Sequence, residues 1–146
     1  MMDNTATVVS LDNEPMDNEP MDKDTTTYTI KTRGNRNFHV HGKILKRSIL
    51  LDTLIQETDE TEFELNEIDG EIMCYVICYM EYITFYQDLH IPIHPGLYRK
   101  TTTTEWFYDF IEKFDISTTK KMIHVANYLH IESLIHLGCF RLAILS

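Results

Sequence analysis

Residues 117–145, STTKKMIHVANYLHIESLIHLGCFRLAIL, carry the reading of this chain. Ser117 suits a helix N-cap, and Met122, Ile123, Ala126 and Leu129 follow it at helical spacing. After His130-Ile131 a second helical pattern runs from Glu132 to Leu145, with Leu134, Ile135, Cys139, Leu142 and Leu145 as its apolar positions. Just upstream, Glu105 to Phe114 reads as another helix, with Trp106 and Phe110 on one side. The chain therefore closes on three helical segments.

Working back toward the N-terminus, the pattern changes from a period near four to a period of two. Thr26, Tyr28 and Ile30 are strand formers, and Asn37 to His41 alternates, with Arg33-Gly34-Asn35 as a turn between the two runs. Phe38 and Val40 should face a core, with His39 and His41 outside. Two short helices follow, the first containing Ile44 and Leu45. The second has Ser48 as N-cap and Leu51, Leu54 and Ile55 as its buried stripe. Residues 61–65 (TEFEL) alternate as a further short strand. Asp69 can cap a long helix from Gly70 to Tyr86, apolar nearly all round, and such a helix sits in mid-core or between partners. Residues 87–105 hold Pro92, Pro95, Gly96 and a threonine run, and read as a loop insertion. A few strands with flanking helices, then a run of helices, predicts an α+β domain over residues 25–146, a small mixed sheet packed with a helical cluster.

Charge separates the remainder. The chain has 146 residues and a formal net charge of -10. Residues 1–24 contain seven acids and one base, leaving -6 there and -4 elsewhere. That segment also repeats LDNEP, MDNEP and MDKD, and its repulsive, proline-interrupted composition predicts a disordered acidic tail. An acidic balance argues against a nucleic-acid partner and against an anionic membrane surface. The longest apolar run, Ile72 to Met80, is too short to span a bilayer, and no secretory signal opens the chain. Cys74 and Cys78 lie one helical turn apart, and Cys139 stands alone. These are expected to be reduced core cysteines of a cytoplasmic or nuclear protein.

No phosphate-binding glycine loop, zinc-protease helix, nucleophile elbow or kinase motif occurs. His39 and His41 share a strand face, His90 and His94 flank a proline-containing loop, and His124, His130 and His136 recur every six residues on different helical faces. No spacing supplies a third metal ligand. The chain is therefore expected to be a binding protein with no catalytic residues, no cofactor and no metal.

Against this background the string Ala126-Asn127-Tyr128-Leu129-His130-Ile131, with Leu134-Ile135 and Cys139, resembles the A-N-Y-L-x-I-x-x-L-L-x-x-x-C signature of the Skp-one family of cullin adaptors, which is related to elongin C. Phe38-His39-Val40, Ile44-Leu45-Lys46-Arg47-Ser48 and Thr53-Leu54 resemble that family's F-x-V, I-x-K-x-S and T-M-L run, and Trp106 with Phe110 its W-D-x-x-F segment. The resemblance spans residues 28–146 without the 87–105 insertion.

The resemblance implies a BTB/POZ fold. It further implies an adaptor of SCF-type ubiquitin ligases, linking a cullin to an F-box or BC-box type receptor in ubiquitin-dependent degradation. Carried over residue by residue, it places Asn127 and Tyr128 on the cullin face and Ile135, Cys139 and Leu142 on the receptor face. The family continues past the position of Ser146 with two more helices and has apolar residues where this chain has Thr119 and Lys120. These departures keep one alternative open, a decoy that holds a cullin without a full receptor clasp; a self-assembling structural BTB module is a second, against which the ANYL string argues. A weak homodimer also stays open.

Overall fold

The structure is a computed structural model that describes residues 22–85 and 105–146. It is a mixed α+β fold: a three-stranded sheet and six helices. Strand β1 (Thr27–Arg33) and strand β2 (Arg36–His41) form an antiparallel hairpin with Tyr28 opposite Val40 and Ile30 opposite Phe38. The two-residue turn places Gly34 at φ 82° and Asn35 at φ 61°. Positive φ at both central residues matches the right-handed twist of the strands, and Gly and Asn are the residues that tolerate it. Tyr28, Ile30, Thr32 and Val40 are buried, Phe38 is half-buried, and His39 and His41 face outward.

The hairpin leads into α1 (Gly42–Leu45) and α2 (Ile49–Glu57). These carry the chain across to β3 (Glu62–Asp69), which pairs in parallel with β1, Ile30 opposite Phe63 and Thr32 opposite Leu65. Parallel pairing requires such a crossover. The strand outruns the expected TEFEL segment by four residues: a register shift between Thr32 and Arg33 brings Arg33 opposite Asp69. The sheet order is β2-β1-β3, so β3 lies at an edge.

Asp69 caps α3 (Gly70–Phe85), its carboxylate accepting from the Glu71 and Ile72 amides at 2.8 and 3.4 Å. This helix runs through the core: Ile72, Met73, Val76, Tyr79 and Met80 are buried. The Tyr79 hydroxyl donates to Ser133 Oγ at 2.7 Å, and burial pushes its pKa up to about 12. Helix α4 (Glu105–Glu112) packs an aromatic cluster on α3, with Trp106 stacked on Tyr82 at 3.9 Å and on Phe110 at 4.8 Å. Helix α5 (Ile116–Leu129) and helix α6 (Glu132–Leu145) complete the fold and pack on each other. Arg141 donates to the Phe114 and Glu112 carbonyls at 3.1 and 2.9 Å, closing the end of α4.

Four expectations change. Helix α5 is capped by Asp115, whose carboxylate accepts from the Thr118 amide at 2.7 Å, and Ser117 falls inside the first turn. The three cysteines are exposed and unbridged, because α3 and α6 are apolar all round and tertiary packing alone selects their inner faces. On α6 that face is Leu134, Leu137, Gly138 and Phe140, while Ile135 and Leu142 are half-buried and Cys139 is exposed. Residues 22–24, assigned with the tail by composition, form a turn. Lys23 Nζ donates to the Ile55 carbonyl at 2.6 Å, and Asp24 pairs with Lys46 at 2.6 Å. A Cβ on Gly42 would run into the Lys23 carbonyl oxygen, so the turn fits closely against α1. The rest of the tail, 1–21, and the insertion apart from Glu105 lie outside the described residues, as do His90 and His94. No helix among the described residues is long and apolar enough to cross a membrane.

Candidate functional site

The end of α5 divides by helical geometry into a buried and a free half. Ala126 and Leu129 are fully buried, whereas Asn127 and Tyr128 are exposed, Tyr128 at 47%. The helix stops at His130, which adopts φ 58°, ψ 57°. Its amide donates to the Asn127 carbonyl at 3.2 Å and the Ile131 amide to the Ala126 carbonyl at 2.9 Å. Those two bonds with a left-handed residue make a Schellman ending, which turns the chain sharply and leaves the preceding side chains standing free. Ile131, the residue after the left-handed position, is buried.

Helix α2 holds this corner in place. The buried Ser48 hydroxyl donates to the Leu129 carbonyl at 2.6 Å and accepts from the Leu51 amide at 3.1 Å, and the Ile49 amide donates to the His130 carbonyl at 3.3 Å. Ile49, 63% exposed, therefore sits beside the α5 ending. Ser48 is legible in the sequence as a cap but not as the partner of Leu129, and the one signal for Ile49 as a surface residue is an apolar side chain at the first helical position, outside the buried stripe.

Tyr128 also bounds a groove of about 480 Å³ between α2, β3 and α5, lined by Leu50, Leu54, Phe63 and Leu65 and by Glu60, Glu62 and Glu64. A second hollow of about 290 Å³ shares Tyr128 and adds Glu67, Ile68, His124 and Val125. A third, about 310 Å³, shares Glu67, His124 and Val125 and reaches Arg33, Lys120 and Lys121. Through these shared residues the three hollows adjoin one another along α5, beside the edge strand, and are together termed the trough.

The other predicted group lies on α6. Ile135, Cys139 and Leu142 recur at one stripe of the helix, half-buried, exposed and half-buried in turn. They belong to a different element from Asn127 and Tyr128. His39 and His41 are tied to neighbours, His39 Nδ1 to Thr29 Oγ1 and His41 Nδ1 to the Thr25 carbonyl, each at 3.2 Å. Among the described residues no three His, Cys, Asp or Glu side chains converge as a metal site. What the trough offers chemically is contact: apolar and charged lining side chains and a tyrosine whose hydroxyl has no hydrogen bond among the described residues. The chain matches no protein-family model and no curated protein, so its role rests on this geometry.

Proposed function

We propose that the chain is a non-catalytic adaptor of the BTB/POZ type, resembling the Skp-one component of SCF-type ubiquitin ligases, and that the α5 ending docks a cullin. One observation carries the reading: the ANYL string splits into a packed half, Ala126 and Leu129, and a free half, Asn127 and Tyr128, on a corner fixed by Ser48. A rigid aromatic with a polar tip beside exposed Ile49 is the composition of an interface anchor. The sheet order, with β3 returning parallel to β1 after two short helices, is compatible with the fold that the resemblance implies.

On the receptor side, the α6 stripe of Ile135, Cys139 and Leu142 is the surface for an F-box or BC-box type partner. Free exposed cysteines fit a reducing cytoplasmic or nuclear setting.

The test is direct binding of a cullin N-terminal domain to the immobilised chain, repeated with Asn127→Lys and Tyr128→Lys. Binding that either substitution abolishes supports the reading. Tight binding indifferent to both overturns it, as does the absence of binding. Co-purification with F-box and BC-box peptides, and its loss in Leu142→Lys, tests the receptor side.

A further inference from the structure

We infer that the trough takes an amphipathic helix of a partner protein whose flanks are basic where it crosses Tyr128; this rests on the reading of the α5 ending as a docking surface. At that end the lining residues include Glu60, Glu62 and Glu64 and no Lys, Arg or His. Glu62 has a partner, Lys31 at 3.3 Å, but both side chains are well exposed, so the pair is weak and readily exchanged. Glu60 and Glu64 have no ion pair among the described residues. The C-terminal end of the α5 dipole adds negative potential on the same side. At the far end Arg33, Lys120 and Lys121 stand among Glu67 and Asp69, so acid and base are mixed there. The trough is therefore acidic at the Tyr128 end and mixed at the other, which an evenly acidic surface is not.

The shape selects a helix over a strand. Glu62 and Glu64 place charge along the β3 edge, and the register shift at Thr32/Arg33 interrupts the ladder beyond Leu65. Charges and irregularities of this kind are the devices that block edge pairing. An occupant must instead bind through side chains, resting apolar groups on half-buried Leu50 and Leu54 and exposed Tyr128 and setting Lys or Arg over the glutamates. The α5 residues that line the trough run from Lys120 to Tyr128, a wall of about 12 Å, or about two turns of a partner helix.

The experiment uses the full chain and a labelled helical peptide of about 18 residues with a leucine face flanked by Lys and Arg. Its counterpart carries Glu at the flanking positions. Fluorescence anisotropy should show binding of the basic peptide, weakening as salt rises, and none of the acidic one. Glu60→Lys with Glu64→Lys should weaken the basic peptide about tenfold or more. Glu105→Lys with Glu112→Lys, the same change in net charge on a helix outside the trough, should leave it unchanged. Equal binding of both peptides, binding of neither, or equal loss in both double variants overturns the proposal. So does a dimer, seen by sedimentation, that Tyr128→Lys dissociates, because the trough would then be covered by a second copy.

A cullin domain measured in parallel separates this inference from the reading beneath it. Cullin binding that is lost in Tyr128→Lys but indifferent to Glu60→Lys, Glu64→Lys and salt overturns the basic partner alone. Trough-dependent binding of the basic peptide with no cullin binding overturns the cullin alone.

Discussion

The hydroxyl of Ser48 donates to the carbonyl of Leu129 across 2.6 Å, joining residues 81 positions apart. The same oxygen accepts from the Leu51 amide, so one buried side chain begins α2 and anchors the end of α5. Ser48→Ala removes both bonds and leaves a buried carbonyl unpartnered. Loss of an N-cap costs about 1 kcal/mol, and an unsatisfied buried polar group adds about 1–3 kcal/mol. Urea unfolding should report a loss of about 2–4 kcal/mol. The variant should also loosen whatever docks on Tyr128, through the corner it no longer holds.

His130 occupies the left-handed region at φ 58°, where a side chain with a Cβ is strained. His130→Gly should therefore stabilise the fold by about 1 kcal/mol. The amide and carbonyl of residue 130 keep their bonds to Asn127 and Ile49, so thermal unfolding should shift upward with the secondary structure unchanged. A lower melting temperature would mean that the imidazole makes a contact that outweighs the strain.

How much of this was legible depended on whether the cause was local. Ser48 and Asp69 announce themselves as caps because a short polar side chain before an apolar helix has few other uses, and both cap in the structure. The alternation of Phe38 and Val40 likewise follows from strand geometry alone, though Phe38 is only half-buried at the sheet margin. Ser117 reads as the cap in place of Asp115 because Ile116, exposed at the first helical position, hides the boundary. Where helices are apolar all round, periodicity is silent: nothing local told Cys74 and Cys78 on α3, or Cys139 on α6, to face outward. The trough was less legible still. It joins residues from α2, β3 and α5 that meet only because β3 crosses over to pair with β1.

Asp115 gives the fold an acid limb. The Thr118 amide, bonding to its carboxylate, holds the Asp115 pKa below the usual 3.8. A carboxylate with a lower folded than unfolded pKa stabilises the folded state above the unfolded value. That contribution is lost as pH falls through the folded value. Denaturation at neutral pH and near pH ~3 should therefore show a loss in acid that shrinks in Asp115→Asn, which keeps an acceptor but no charge. An identical acid limb in both proteins would assign the effect to other carboxylates.

Gly138 is buried on α6 where a Cβ would overlap Ile123 of α5. Ile123 is β-branched on a helix and has little freedom to rotate away. Gly138→Ala should thus destabilise by about 1–3 kcal/mol, despite the better helix propensity of alanine. Ile123→Ala in the same chain should return much of that loss. A double-mutant cycle showing simple additivity would place the strain elsewhere.

Tyr128 separates stability from binding. Its side chain is 47% exposed and stands on a helix whose other face, through Val125, Ala126 and Leu129, fills the core. Truncating an exposed side chain changes folding stability by less than about 0.5 kcal/mol, whereas truncating an interface anchor costs about 2 kcal/mol or more of binding. Tyr128→Ala should accordingly unfold at nearly the same urea midpoint as the parent while losing at least about tenfold in affinity for the cullin domain. Tyr128→Phe divides the loss further. If the hydroxyl matters, Phe should bind between Tyr and Ala; if the ring alone is recognised, Phe should match Tyr. A Tyr128→Ala chain that lost stability in step with affinity would show the ring acting as a brace for the α5 corner, not as a contact.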